Sequence, residues 1–151
     1  MGGVATSGIL AADGRGRRRK VPRSIHAGWD PAADRDPLAT LAAQDGSRIA
    51  ELVPVRYGRM LTSPFAFFRG GAAVMAGDLA SRSDTGLRVQ LCGDAHLSNF
   101  GVAIAAYLGA GRNFEGALGE FAERYAEQNE RDFAALTAAA RRGRIEVAAG
   151  L

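Results

Sequence analysis

A chain of 151 residues has room for one domain and little more. Hydrophobic residues make up 47% of it, but aromatics are only 7% and glycines number 20, so the core draws on small side chains that bury little area each. The net charge of +3 comes from a single tract. Arg15, Arg17, Arg18, Arg19, Lys20 and Arg23 supply six of the 19 basic residues, and the remaining 13 face 16 acidic ones, which excludes a body that attracts nucleic acid by charge. One cysteine excludes an internal disulfide framework and a cysteine-based zinc site. No run approaches the ~20 apolar residues of a membrane span, and the opening GVATSGILAA has its arginines after it rather than before it, so a cytoplasmic protein with no membrane partner is expected.

In chain order, residues 1–30 read as a disordered basic tail. Asp30-Pro31 and Asp36-Pro37 are helix-start signals, and PLATLAAQ then predicts a helix over 38–43. Ser47 is placed to cap a second helix over 47–59, which Pro54 must kink or divide. The stretch 62-TSPFAFFRGG-71 reads as a loop or short strand. Residues 71–82 follow helical spacing through Val74, Met75 and Leu79. Residues 87-LRVQLC-92 alternate apolar and polar and predict a strand. The last segment, 113–142, predicts a long helix capped by Asn113 and closed by Gly143, with Phe114, Leu118, Phe121, Tyr125, Phe133, Leu136 and Ala140 along one stripe about 40 Å long. On that pattern Asp132 is a solvated helix residue.

Chemistry gathers directly behind the expected strand, in 91-LCGDAHLSNFG-101. An Asp at a strand's C-terminal edge and an Asn five residues on can divide two tasks, one accepting or positioning a hydroxyl proton and the other supplying an oxygen to Mg²⁺. Spacing alone leaves a simple turn open, because Asp and Asn bond their own backbone.

The octet from Cys92 to Asn99 resembles the catalytic loop of aminoglycoside and choline phosphotransferases, H-G-D-x-H-x-x-N, with Cys92 in place of the leading His. More of the chain resembles an uncharacterised bacterial family, domain-of-unknown-function family 2252. The resemblance rests on 21-VPRSIHAGW-29, 53-VPVRYGRMLTSPFAFFRGGAAVMAGDLA-80, 86-GLRVQLCGDAHLSNFG-101 and 124-RYAEQNERDFAAL-136. It implies an α+β, mainly helical fold, a partial protein-kinase-like architecture with Mg-ATP as cofactor. Asp94 resembles the catalytic base, Asn99 the magnesium ligand, and His96 a residue that orients the loop. Arg69 is a candidate phosphate contact, as are Arg56 and Arg59.

The same resemblance implies that a middle portion is absent, with the join near residues 101–104. The kinase-like part then runs over 31–101, and 102–151 corresponds to the family's C-terminal helical end. With the middle goes the acidic motif whose aspartate should hold the nucleotide's Mg²⁺. Asp132 is the only aspartate after Asn99. The expectation is an internally shortened, catalytically inactive member of a phosphotransferase family. The alternatives are an active enzyme on an unknown small-molecule or protein substrate, and a binding module whose basic tail touches nucleic acid, the composition of the body arguing against the last. The long apolar stripe, deprived of the larger lobe, is expected to drive self-association of the C-terminal helix.

Overall fold

The computed structural model describes residues 13–80, 82–87, 107–109 and 111–148. It is mainly helical, with no strand among the described residues. Helix α1 covers residues 13–20, followed by a 3-10 turn at Arg23–His26. Helices α2 (Pro37–Ala42), α3 (Val53–Met60), α4 (Pro64–Gly70), α5 (Ala72–Ala80) and α6 (Asn113–Arg141) follow. The strand expected over 87–92 lies outside the described residues except for Leu87. The chain divides into two compact units, Met1–Trp29 with Ser83–Ala122 and Asp30–Arg82 with Glu123–Leu151. Helix α6 runs from the first into the second.

Local chemistry explains the helix starts. Asp36 caps α2, its carboxylate accepting from the Ala39 N–H at 2.9 Å, and Pro37 sits in the first turn where its missing donor costs nothing. The expected helix over 47–59 is broken into 3-10 turns at Asp45–Ser47 and Ala50–Leu52 ahead of α3. Pro54 is the reason: it fits the first turn of a helix that begins at Val53 and cannot fit the middle of one. Ser47 does not cap; its hydroxyl donates back to the Gln44 carbonyl at 2.8 Å. The stretch 62–71, expected as loop or strand, is helix α4. Ser63 accepts from the Ala66 N–H at 3.1 Å and Pro64 holds the first position, so Ser-Pro is a cap and start pair rather than a turn.

At the other end of α6 the expected stop is present. Gly143 adopts φ +68°, the Gly143 N–H reaches the Ala140 carbonyl at 3.0 Å and the Arg144 N–H the Ala139 carbonyl at 3.0 Å. This is the Schellman closure that a glycine permits.

The unit of residues 30–82 and 123–148 has the larger core. Leu41, Tyr57, Met60, Phe67, Val74 and Leu136 are buried together, so each of the helices α2 to α6 contributes. Phe133 meets Phe67 edge-on, ring centroids 6.4 Å apart. Such side chains stabilise by about 1.5–3 kcal/mol each on burial. Beyond α6 the chain returns to α3, where the Ala148 N–H donates to the Pro54 carbonyl at 3.1 Å. Gly58 is required there, since a Cβ would overlap the Ala148 carbonyl oxygen.

The unit of residues 13–29, 83–87, 107–109 and 111–122 buries Trp29, Tyr107, Ala117 and Phe121. Residues 13–30, expected to be unstructured, instead hold α1 and the 3-10 turn. Arginine makes the difference. Arg17 donates to the Thr85 carbonyl at 2.8 Å, Arg18 to the Tyr107 carbonyl at 2.9 Å and Arg23 to the Leu108 carbonyl.

The stripe of α6 is turned relative to its expected position. Ala117, Phe121, Tyr125, Asp132, Leu136 and Ala139 are buried, while Leu118 is exposed. The spacing of 117, 121, 125, 132, 136 and 139 follows threes, fours and a seven, which keeps to one helix face. Asp132 therefore belongs to the inner face and is not solvated; its relative exposure is 4%.

Candidate functional site

Asp94, His96 and Asn99 lie outside the described residues. Arg69 is exposed in the last turn of α4 and has no ion-pair partner among the described residues. Arg59 is exposed as well. Arg56 is tied into the fold. Its Nη2 donates to Gln44 Oε1 at 3.2 Å and to the Gly70 carbonyl at 3.0 Å, and its guanidinium lies 5.4 Å from the centre of the Tyr57 ring. The candidate phosphate contacts thus do not converge.

The polar groups that do converge sit in the larger-cored unit and include none of those chosen from the sequence. Arg35, directly ahead of the Asp36 cap, reaches between α5 and α6. Its Nε and Nη2 donate to the two oxygens of Asp78 at 2.6 and 2.9 Å. Its Nη1 and Nη2 donate to the two oxygens of Asp132 at 2.8 and 2.6 Å. The three side chains are 10%, 7% and 6% exposed, which makes this a buried, doubly bidentate clamp. Neutral donors complete the cluster. Tyr125 Oη donates to Asp78 at 2.9 Å, and Gln128 Nε2 donates to Asp132 Oδ1 at 2.8 Å.

Electrostatics follow from this geometry. Burial works against the Arg35 charge, but the hydrogen bonds and the attraction of Asp78 and Asp132 outweigh it, so the guanidinium's pKa is raised. Burial also raises the Tyr125 phenol, and the Asp78 carboxylate raises it further. The Arg35 guanidinium and the Tyr125 phenol are thereby each held in the protonation state they already have at neutral pH. The cluster crosslinks the segment before α2, helix α5 and helix α6, and offers neither a nucleophile nor a poised acid or base. The sequence signal that could have found it is the run Tyr125, Gln128, Asp132, spaced three and four along one face of α6.

In the same unit, a cavity of about 510 Å³ is lined by Asp36, Asp45, Val53, Tyr57, Arg144 and Glu146 among others. Tyr57 donates to Asp45 Oδ2 at 2.8 Å. Burial and that carboxylate push the phenol's pKa up to about 12. Asp45 Oδ1 stands 3.6 Å from Arg56 Nη1. Among the described residues no group of three or more His, Cys, Asp or Glu side chains is placed to hold a metal ion. No helix among them is long and apolar enough to cross a membrane.

Residues 48–105 match the model of a family described as "Uncharacterized protein conserved in bacteria (DUF2252)". The matched span takes in the loop of Asp94, His96 and Asn99 and leaves out 21–29 and 124–136. No curated protein and no solved structure matches the chain.

Proposed function

We propose that this chain is a shortened, non-catalytic member of that bacterial family, carrying a kinase-like phosphotransferase loop without the second metal ligand that phosphoryl transfer needs. The observation that carries the reading is the state of Asp132. It is the only aspartate between Asn99 and the last residue, and both its oxygens are held by Arg35, one of them by Gln128 as well. Three of the carboxylate's four lone-pair sites are taken by these donors and the residue is buried, so binding a nucleotide's Mg²⁺ would require breaking the ion pair. Mg-ATP asks for at least two oxygen ligands on the protein besides the phosphates. Asn99 would supply one, and on this reading Asp132, the only aspartate after it, is engaged elsewhere. The loop is then one oxygen ligand short of holding Mg-ATP.

The family match supports the reading from another side. It ends at residue 105, beside the join near 101–104 implied by the sequence resemblance. Farther along, Asp132 and Gln128 of α6 are engaged with Arg35 and with each other.

Purified full-length chain is expected to show no Mg²⁺-dependent ATP consumption above buffer, with Asp94→Ala as the matched control. Turnover that Asp94→Ala abolishes would overturn the proposal, since another carboxylate would then be completing the metal site.

A further inference from the structure

The basic tract contains no acid between Arg15 and Arg23, and the structure sorts its six cations into two sets. Arg17, Arg18 and Arg23 turn onto backbone carbonyls of their own unit at Thr85, Tyr107 and Leu108. Arg17 also pairs with Asp13 at 2.8 Å, and Asp13 is the only acid from residue 13 to residue 29. The other three, Arg15, Arg19 and Lys20, are exposed. On α1, Arg15 and Arg19 stand one turn apart on the same face, with Lys20 beside Arg19. The three span about 7.5 Å along the axis at 1.5 Å per residue. Residues 13–20 read DGRGRRRK, so the described part of the helix has no apolar side chain and two of its eight residues are glycine. Such a helix does not form by propensity. It is held by its inward arginines, and that anchoring fixes the outward ones.

We propose that the outward face of α1 is a docking surface for the phosphate backbone of duplex nucleic acid. Charge complementarity selects the partner. Duplex DNA carries one negative charge per ~1.7 Å of axis, so three cations over ~7.5 Å meet a row of phosphates without any change of shape. A membrane surface is the poorer match, because interfacial helices bury an apolar face and the described residues of α1 offer none. The rest of the chain is net acidic, which confines the contact to this helix. The anchoring sets this surface apart from a solvated arm: its cations are already placed, so less ordering is required on binding. Contacts of this kind read charge and carry no base sequence.

The test is fluorescence anisotropy of a labelled random-sequence DNA duplex titrated with the full chain across a salt series. Binding is expected to be weak and salt-steep, with a log–log slope of about −3 for three phosphates. The triple variant Arg15→Gln, Arg19→Gln, Lys20→Gln is expected to lose at least tenfold in affinity. Gly16→Pro keeps every charge but breaks α1, and is expected to lose affinity as well, with far-ultraviolet circular dichroism checking that the other helices persist. Unchanged affinity in the triple variant overturns the surface. Full affinity in Gly16→Pro overturns the ordered face in favour of a flexible arm. Binding to phosphatidylserine vesicles but not to the duplex overturns the choice of partner.

Discussion

Arginine does opposite work in the two units. In the larger-cored unit, Arg35 is buried between the carboxylates of Asp78 and Asp132. In the other, Arg17, Arg18 and Arg23 are half-buried and donate to neutral carbonyl oxygens. The side chain is the same and the partner differs, and the partner decides what its loss does. Removing a guanidinium from between two buried carboxylates strands two charges in low dielectric. Removing one from a carbonyl strands an oxygen that water can reach.

The largest effect should therefore fall on Arg35. Arg35→Ala is expected to destabilise by about 3–5 kcal/mol, and Arg18→Gln by about 1 kcal/mol, both read from denaturant midpoints. Equal losses would break the contrast between the two units.

The alkaline titration of the tyrosines should sharpen it. The chain has three, each with a raised phenol, so the neutral form is the one the fold favours. Stability from such groups is fully present below the ordinary phenol value of about 10 and is lost as pH rises through the folded value. Around Tyr107 burial raises the pKa while Arg23 and Arg18 pull it back. Around Tyr125 burial and Asp78 act together, and Tyr57 is pushed up to about 12. Tyr107 is expected to ionise first in an ultraviolet difference titration, so Tyr107→Phe should remove the earliest phase. If Tyr125→Phe removes it instead, the carboxylates do not govern that phenol.

The smallest effect is expected at Leu118, which is 52% exposed. Leu118→Asp should change monomer stability by no more than about 0.5 kcal/mol. Self-association through α6 was expected from a stripe that included this residue. The structure packs Phe133 and Leu136 back onto the α2–α5 helices instead. Sedimentation of wild type beside Leu118→Asp decides whether copies still pair: a shift toward monomer in the variant supports pairing through this face, and identical profiles remove Leu118 from any such contact.

What could be read from the sequence was what depends on neighbours in the chain. Asp36 before Pro37, Asn113–Arg141 as one helix and Gly143 as its stop are all local statements. Ser63-Pro64 is equally local, but the aromatic, glycine-bounded stretch 62–71 reads as a loop or short strand. The clamp was hidden for a different reason. Arg35 and Asp132 are 97 positions apart, and neither residue type is read as core unless its partner is known. Placing Phe133 on the stripe puts Asp132 in solvent, whereas the register of Tyr125 and Leu136 puts it inside. The three inward arginines were lost in a charge count, since a tract of like charge is ordinarily solvated. For the Asp94 loop only the family match adds to what the sequence says.

The clamp ties α5 to α6, which lie on either side of residues 83–122 in the sequence. To that unit, residues 83–122 are an interval of sequence between its two stretches. The entropy of closing a loop rises only with the logarithm of its length, about 0.6 kcal/mol per doubling. A lineage could lengthen or shorten this interval a great deal while the five-helix core keeps its contacts, provided α6 still begins in register. In that sense residues 83–122 mark the place where this architecture tolerates the gain or loss of a whole segment, and where relatives should differ most in length.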